Sequence, residues 1–253
     1  MWKYTVQSIR GSAHYINGMP CQDASGFIQV AGLLVCALSD GAGSAKLSDF
    51  GSRIIVDKSL QFFKDYFDKT EAPQIAMRDL GVQQGEWLIE EVRDEISRAA
   101  SEKNEPEQEF AGTLLVAVIG EARSVFYQVG DGVWYICKSG ILGAVTWPEQ
   151  GEFAGQTMFV TSSSATKSLQ CHAVENGLDY IVGMTDGLER LSLDMQARVP
   201  HRGFCEPLIE ALRQADCLND YKGKLEVFLT SERVCERTDD DKSLALIVHE
   251  DGI

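Results

Sequence analysis

Basic side chains are scarce in this chain. Its 23 Lys and Arg stand against 38 Asp and Glu, a formal charge of −15, and a surface that negative repels phosphate backbones and anionic headgroups. Nucleic acid and membrane surfaces are therefore poor partners. Proline is also sparse, with 6 in 253 residues, and 44% hydrophobic with 24% charged residues is the make-up of a folded globular protein with little room for disorder. Long apolar runs are missing, since none approaches the ~20 residues that span a bilayer. Residues 1–14 alternate polar with apolar where a signal peptide needs an unbroken hydrophobic stretch, so the expected location is the cytoplasm. Cysteine pairing is missing too. The seven cysteines are an odd number, never closer than twelve positions, and form no CxxC pair, which argues against a disulfide framework or a zinc ribbon and for reduced, mostly buried thiols.

What is present is regular periodicity. Residues 4–9 alternate like a strand, Asn17-Gly18 offers a turn, and 27–39 holds strand-like stretches broken at Ala31-Gly32. Val56, Leu60, Phe63 and Phe67 then fall on one helical face, as do Leu88, Val92, Ile96 and Ala99 within 83–100. The charged stretch 101–109 reads as a loop. Short apolar runs at 112–119, 124–129, 133–137, 157–160, 180–184 and 244–248 read as strands, with one more helix around 207–217 that carries Pro207 near its first turn. No repeat or linker divides the chain, so the expectation is one α+β domain over 1–253, with sheets at the centre and helices outside.

The chemistry is carried by where the aspartates fall. Leu33 to Ser39 ends in Asp40-Gly41-Ala42-Gly43, the run to Gly130 ends in Asp131-Gly132, the run to Thr185 ends in Asp186-Gly187, and Asp239-Asp240-Asp241 leads into the last strand. Any single Asp-Gly is more often just a turn, as Asp251-Gly252 at the tail illustrates. Four strand ends that converge are a different matter, because their charges repel unless a divalent cation neutralises them. Mg²⁺ and Mn²⁺ prefer carboxylate, carbonyl and water oxygens. The Asp239 to Asp241 triplet has no evident folding rationale, since adjacent like charges need a cation or open solvent.

These fragments, in this order, resemble the bacterial branch of the PPM or 2C-type metal-dependent Ser/Thr protein phosphatases. Cys21-Gln22-Asp23 is similar to the early acidic motif, Asp40-Gly41-Ala42-Gly43 to the Asp-Gly-x-Gly motif, and Phe110-Ala111-Gly112-Thr113 to the Gly-Thr strand start. Gly130-Asp131-Gly132 resembles the Gly-Asp-Ser segment, Thr185-Asp186-Gly187 the Ser-Asp-Gly motif, and Asp240-Asp241-Lys242-Ser243 the closing Asp-Asn-x-Ser/Thr. The resemblance implies a β-sandwich of two antiparallel sheets flanked by helix pairs, with two Mn²⁺ or Mg²⁺ ions at one end and a possible third. Asp40 would bridge the two ions, the Gly41 carbonyl would hold one, and Asp186 and Asp240 would complete the other. Asp23 would act through water, and Asp131 with Asp186 would suit the third ion. The implied activity is hydrolysis of phosphoserine and phosphothreonine by water activated between two metals, in a monomer whose protein substrate is made by an opposing Ser/Thr kinase.

The chain departs from the family pattern at several positions. Gln22 stands where an acidic residue is usual, Asp241 where Asn is usual, and Ala42 where some relatives place a histidine thought to protonate the leaving group. The phosphate-binding Arg position falls on Gly18, which leaves His14 as the candidate for phosphate capture or proton donation. Cys21 lies beside the site, but no Cys is followed by an Arg-ended phosphate loop, so a cysteine phosphatase is not indicated. Two other readings compete: a non-catalytic phosphoprotein-binding scaffold with this fold, and a simple cation-binding module. The joint presence of Asp40, Asp131, Asp186 and Asp240 favours the enzyme.

Overall fold

Apolar residues recur along the chain at two spacings, every second position and every third or fourth. The computed structural model, which describes residues 1–148, 157–175 and 177–250, resolves them into strands and helices. The first half runs β1 (Trp2–Ile9), α1 (Ser12–Ile16), β2 (Ala24–Val30), β3 (Leu33–Ser39), α2 (Ser48–Asp68), α3 (Pro73–Asp79), α4 (Val82–Lys103), β4 (Leu114–Ile119), β5 (Arg123–Val129), β6 (Val133–Lys138) and β7 (Ile141–Ala144). The second half runs β8 (Gln170–Glu175), β9 (Leu178–Met184), α5 (Glu189–Ser192), β10 (Leu193–Asp194), β11 (Val199–Pro200), α6 (Arg202–Gln214), α7 (Leu218–Leu229), α8 (Glu232–Cys235) and β12 (Lys242–His249).

Two five-stranded sheets form, in the orders β2-β3-β4-β5-β8 and β1-β12-β9-β6-β7, and β10 pairs with β11 in a small ribbon. Every pairing in the two large sheets is antiparallel. Strand β3 shows why the layers stack as they do. Leu34, Cys36 and Leu38 enter a core shared with Leu115, Phe126, Trp134 and Ile181, between the sheets. Leu33, Val35 and Ala37 face the other way, onto Ile55, Phe63, Leu88 and Val92 of α2 and α4. A strand apolar on both faces must be covered on both, which is why it reads as an unbroken hydrophobic run. The second sheet repeats the scheme, with Tyr135, Val182 and Leu246 packed on Ile209, Leu212, Leu225 and Leu229 of α6 and α7. The expected α+β sandwich with flanking helix pairs is what forms.

Register then decides where the polar ends lie. Ala24 pairs with Ser39, Leu38 with Leu115 and Leu114 with Val129, while Val133 and Leu244 both pair with Met184. The start of β2, the end of β3, the β5–β6 turn, the end of β9 and the start of β12 therefore share one edge of the sandwich.

Some local expectations are corrected. The loop expected at 101–109 is shorter, because α4 runs to Lys103 and stops at Asn104 in the left-handed region (φ 53), and Glu107–Phe110 winds into a 3-10 turn. Residues 157–160 form no strand; the Val160 amide donates to the Gly112 carbonyl (2.9 Å), so the segment is tied to the sheet end by isolated bonds and not by a ladder. Helix α6 begins at Arg202, which places Pro207 inside it and costs the hydrogen bond to the Gly203 carbonyl. Its buried face of Cys205, Ile209 and Leu212 offsets that loss. Strands β7 and β8 lie at sheet edges with mostly exposed residues and give little periodic signal. Asn17-Gly18 and Ala31-Gly32 do form turns, with φ of +70 at Gly18 and of +52 and +77 at the hairpin pair. Asp251-Gly252 lies outside the described residues.

Close packing between β6 and β9 yields a direct test. Gly183 faces the buried Trp134, and a Cβ at 183 would lie 2.3 Å from the indole. Gly183→Ala should lower stability to urea by about 1–3 kcal/mol, the usual cost of overpacking a core. Combining it with Trp134→Leu should recover part of the loss. Strictly additive effects would show that the contact does not set the cost.

Candidate metal centre

Asp40 is placed by the start of the neighbouring strand. Its amide donates to Thr113 Oγ1 (2.9 Å) and its carbonyl accepts the Thr113 amide (2.8 Å), while Ser39 Oγ donates to the Thr113 carbonyl (2.6 Å). Gly41 bridges to Gly112 and is wedged between backbones, since a Cβ there would lie 2.6 Å from the Gln22 carbonyl oxygen and 2.7 Å from that of Ser48. This explains Gly41, and at Gly112 a Cβ would lie 2.9 Å from Ile55 Cδ1 and 3.0 Å from Ser39 Oγ, so the Gly-Thr pair acts as a clamp on Asp40. Asp131 sits between two left-handed glycines, Gly130 (φ +96) and Gly132 (φ +92), and its Oδ2 accepts from Thr157 Oγ1 (2.6 Å). Asp186 opens a 3-10 turn directly after β9, and Asp23 precedes β2, its Oδ2 accepting from Thr185 Oγ1 (2.8 Å).

The carboxylates feel one another. Asp23 is buried, Asp40, Asp131 and Asp186 are half-buried, and Asp240 is exposed. Burial holds the Asp40 carboxyl well above the usual carboxylate range, and the charges of Asp23, Asp186 and Asp131 raise it further. Asp186 is raised by burial and by Asp131, Asp240 and Asp23. Asp23 and Asp131 are raised by burial too, against the pull of their threonine hydroxyls. None of these four forms an ion pair with Lys or Arg among the described residues. The one fully buried lysine nearby, Lys242, donates to the Asp240 carbonyl (2.9 Å).

The residues present suit hard divalent cations. Asp23 Oδ1, Asp131 Oδ1 and Gln22 Oε1 are buried with no hydrogen-bond partner, and buried oxygens of that kind normally have one. Among the described residues no three acidic, His or Cys side chains close into a ready chelate. Unpartnered carboxylate and amide oxygens suit Mg²⁺-like ions, which take one or two carboxylates and complete their shell with water and carbonyl oxygens.

The Asp triplet divides in two. Asp239 and Asp240 are exposed, so solvent relieves their charge, whereas Asp241 is buried. Asp241 Oδ1 accepts the Gly11 amide (2.5 Å), and its Oδ2 accepts the Gln22 amide (2.5 Å) and lies 2.9 Å from His14 Nδ1. Asp241 thus has a folding role after all, tying the segment around α1 to the mouth of the sheet. His14, expected at the phosphate, has one ring nitrogen turned to Asp241. Cys21 is engaged here as well: burial first, then the charges of Asp23 and Asp241, push its thiol up, so it stays neutral. Ala42 is buried and offers no proton, its amide donating to the Ala111 carbonyl (2.9 Å).

Sequence reasoning missed Glu189. Its Oε1 accepts the Gly132 amide (2.9 Å), and burial with the charge of Asp131 raises its pKa to about 7 against the pull of that amide. The available signal was spacing, three residues beyond Asp186. Thr113 and Thr185 stood in the family-like motifs and Thr157 in none, and the hydroxyl contacts of all three left no signal because their partners lie on other segments.

Comparison with known proteins agrees with the fold. A family profile described as "Protein phosphatase 2C" matches residues 10–230. The chain is 28% identical to "Serine/threonine-protein phosphatase 3" of Escherichia coli (strain K12) over 97% of both chains. Its fold is similar to that of serine/threonine phosphatase Stp1 from Staphylococcus aureus, with a TM-score of 0.66 at 16% identity over 99% of this chain and 96% of the other. It is also similar to RsbX in complex with magnesium, with a TM-score of 0.54 at 16% identity over 98% and 94%.

Substitutions on the two kinds of aspartate should move stability in opposite directions. Asp186→Asn removes one of several repelling charges and should raise the melting temperature in chelator at mildly alkaline pH, while shrinking the upward shift on adding Mn²⁺. Asp241→Ala strands buried amides and should lower the melting temperature in both conditions, each donor left unpaired costing about 1–3 kcal/mol of stability. Differential scanning fluorimetry with chelator and with excess Mn²⁺ reads both, and a destabilised Asp186→Asn in chelator would contradict the repulsion.

Proposed function

This chain belongs to the protein phosphatase 2C family, and we propose that it hydrolyses phosphoserine and phosphothreonine in proteins with the help of divalent cations, Mn²⁺ or Mg²⁺, held at the strand-end carboxylates. The observation that carries the reading is the convergence of Asp23, Asp40, Asp131 and Asp186 at one end of the sandwich, with an unpartnered oxygen on Asp23 and on Asp131 and, among the described residues, no Lys or Arg paired with any of the four. Asp40 would contact two ions, with the Gly41 carbonyl on one and Asp186 and Asp240 on the other, and Asp131 with Asp186 would serve a third. When bound, such ions lower the pKa of water and neutralise phosphoryl oxygens. The residues' own part is to hold that arrangement rigidly. Thr113 fixes Asp40 through its backbone, Thr157 and Thr185 orient the carboxylates of Asp131 and Asp23, and the neutral Cys21 takes no nucleophilic role.

The substrate is taken to be a phosphoprotein made by an opposing Ser/Thr kinase, with residues 1–253 acting as one unit, monomeric, in the cytoplasm. Among the described residues no helix is long and apolar enough to cross a membrane. The competing reading, a phosphoprotein-binding scaffold of the same fold, draws on the missing ready chelate and the exposure of Asp240. Turnover separates the two.

Purified protein should release phosphate from an aryl phosphate and from phosphopeptides with added Mn²⁺ or Mg²⁺ and not in chelator. Asp40→Asn should lower the rate by orders of magnitude while the protein still folds. Undiminished turnover in excess chelator would sink the metal reading, and binding of phosphopeptide without turnover would favour the scaffold. Because Ala42 cannot act as an acid, Asp131→Ala should impair phosphopeptide hydrolysis more than aryl phosphate hydrolysis, by up to ~100-fold in the ratio of kcat values. His14→Ala should change that ratio less, since its imidazole is engaged with Asp241.

A further inference from the structure

We propose that Glu189 is a positioning residue for Asp131, a latch that fixes the distance between the Asp131 turn and the Asp186 turn. The proposal rests on the phosphatase reading above for its kinetic consequences, but not for the latch itself. The Asp131 turn is built from two glycines in the left-handed region, the residue type that loses most conformational freedom on folding. Its position therefore has to be imposed from outside. A Cβ at Gly130 would lie 2.5 Å from the Met158 carbonyl oxygen, and one at Gly132 2.7 Å from that of Met184, so close backbone contact requires glycine at both positions. The hydrogen bonds to the turn come from three directions. Thr157 Oγ1 donates to Asp131 Oδ2, Gln128 Nε2 donates to the carbonyls of Gly130 and Gly132 (3.0 Å each), and Glu189 Oε1 accepts the Gly132 amide (2.9 Å).

Of these partners, Glu189 alone comes from the segment that carries Asp186. Asp186–Leu188 is a 3-10 turn and Glu189 starts α5 directly after it, and in such a turn side chains three apart lie over one another. One short segment thus presents Asp186 and, a turn later, the carboxylate that grips the Asp131 loop.

Two conservative variants separate latch from charge. Glu189→Gln keeps the length and an acceptor oxygen but loses the charge; Glu189→Asp keeps the charge but is one methylene too short. Hydrogen exchange in the metal-free protein should speed up over the 130–132 turn in Glu189→Asp and Glu189→Ala by on the order of 10- to 100-fold, the worth of a hydrogen bond to a charged group. The effect in Glu189→Gln should be at least several-fold smaller, with β9 and β12 unchanged in all three. Mn²⁺ binding isotherms without substrate, and kcat on phosphopeptide, should rank Glu189→Gln above Glu189→Asp. The reverse ranking, or unchanged exchange at the turn in Glu189→Asp, would overturn the latch. If the wild type released no phosphate with any metal, the phosphatase reading would fail while exchange at 130–132 still decided the role of Glu189.

Discussion

Like charges brought together without a counter-charge are the constraint around which this end of the molecule is organised. Burial raises the pKa of Asp40 and of Asp186 most, and the charges of Asp23, Asp186 and Asp131 add to the first while those of Asp131, Asp240, Asp23 and Glu189 add to the second. A flexible surface would let such groups drift apart, but each is fixed to the end of a strand buried on both faces, or to a turn pinned against one. The cores on either side of each sheet hold the strands in register, and register holds the carboxylates together. Folding free energy from apolar burial is thereby converted into a preorganised acidic site, the condition for electrostatic work at low reorganisation cost.

The supporting interactions divide by chemistry. Neutral hydroxyls contact Asp23 and Asp131, each leaving the second carboxylate oxygen unpartnered, while Asp40 is held through its backbone by Thr113. Asp241 differs because both of its oxygens are taken up by amides, Gly11 donating to Oδ1 and Gln22 to Oδ2, with His14 Nδ1 2.9 Å from Oδ2. It lies next to Lys242, which pairs with Ile9 at the edge of the β1–β12 ladder, so it meets the chain as that chain leaves β1. The same carboxylate that secures this crossing also places Gln22 and hence the entry of Asp23 into the site.

How much of this could be read from the sequence follows from the range of each interaction. The α+β class was legible because strands buried on both faces leave apolar runs and because the apolar faces of α2 and α4 repeat without interruption, whereas the two-sheet sandwich came only with the family resemblance. The strand-end aspartates were legible for the same reason, since a strand's end marks where its polar neighbour must lie. Helix α6 was misplaced at its start, as a proline in the interior outweighed the periodicity in the reading but not in the fold. Asp241 looked like surplus charge because its partners, Gly11 and Gln22, lie more than two hundred residues away in the chain. Only the β1–β12 register brings them near.

The division between saturated and unsaturated carboxylates bears on stability as well as chemistry. An aspartate such as Asp241 contributes to folding whether or not cations are present, because its donors belong to the protein. Asp23, Asp131 and their neighbours instead leave acceptor capacity that the protein does not fill. A cation that binds only the folded form stabilises it in proportion to the logarithm of its concentration over Kd. The apparent stability of the chain is then a property of chain and ion together. The strength of the sheets on which these carboxylates stand determines how much repulsion the fold tolerates before an ion arrives.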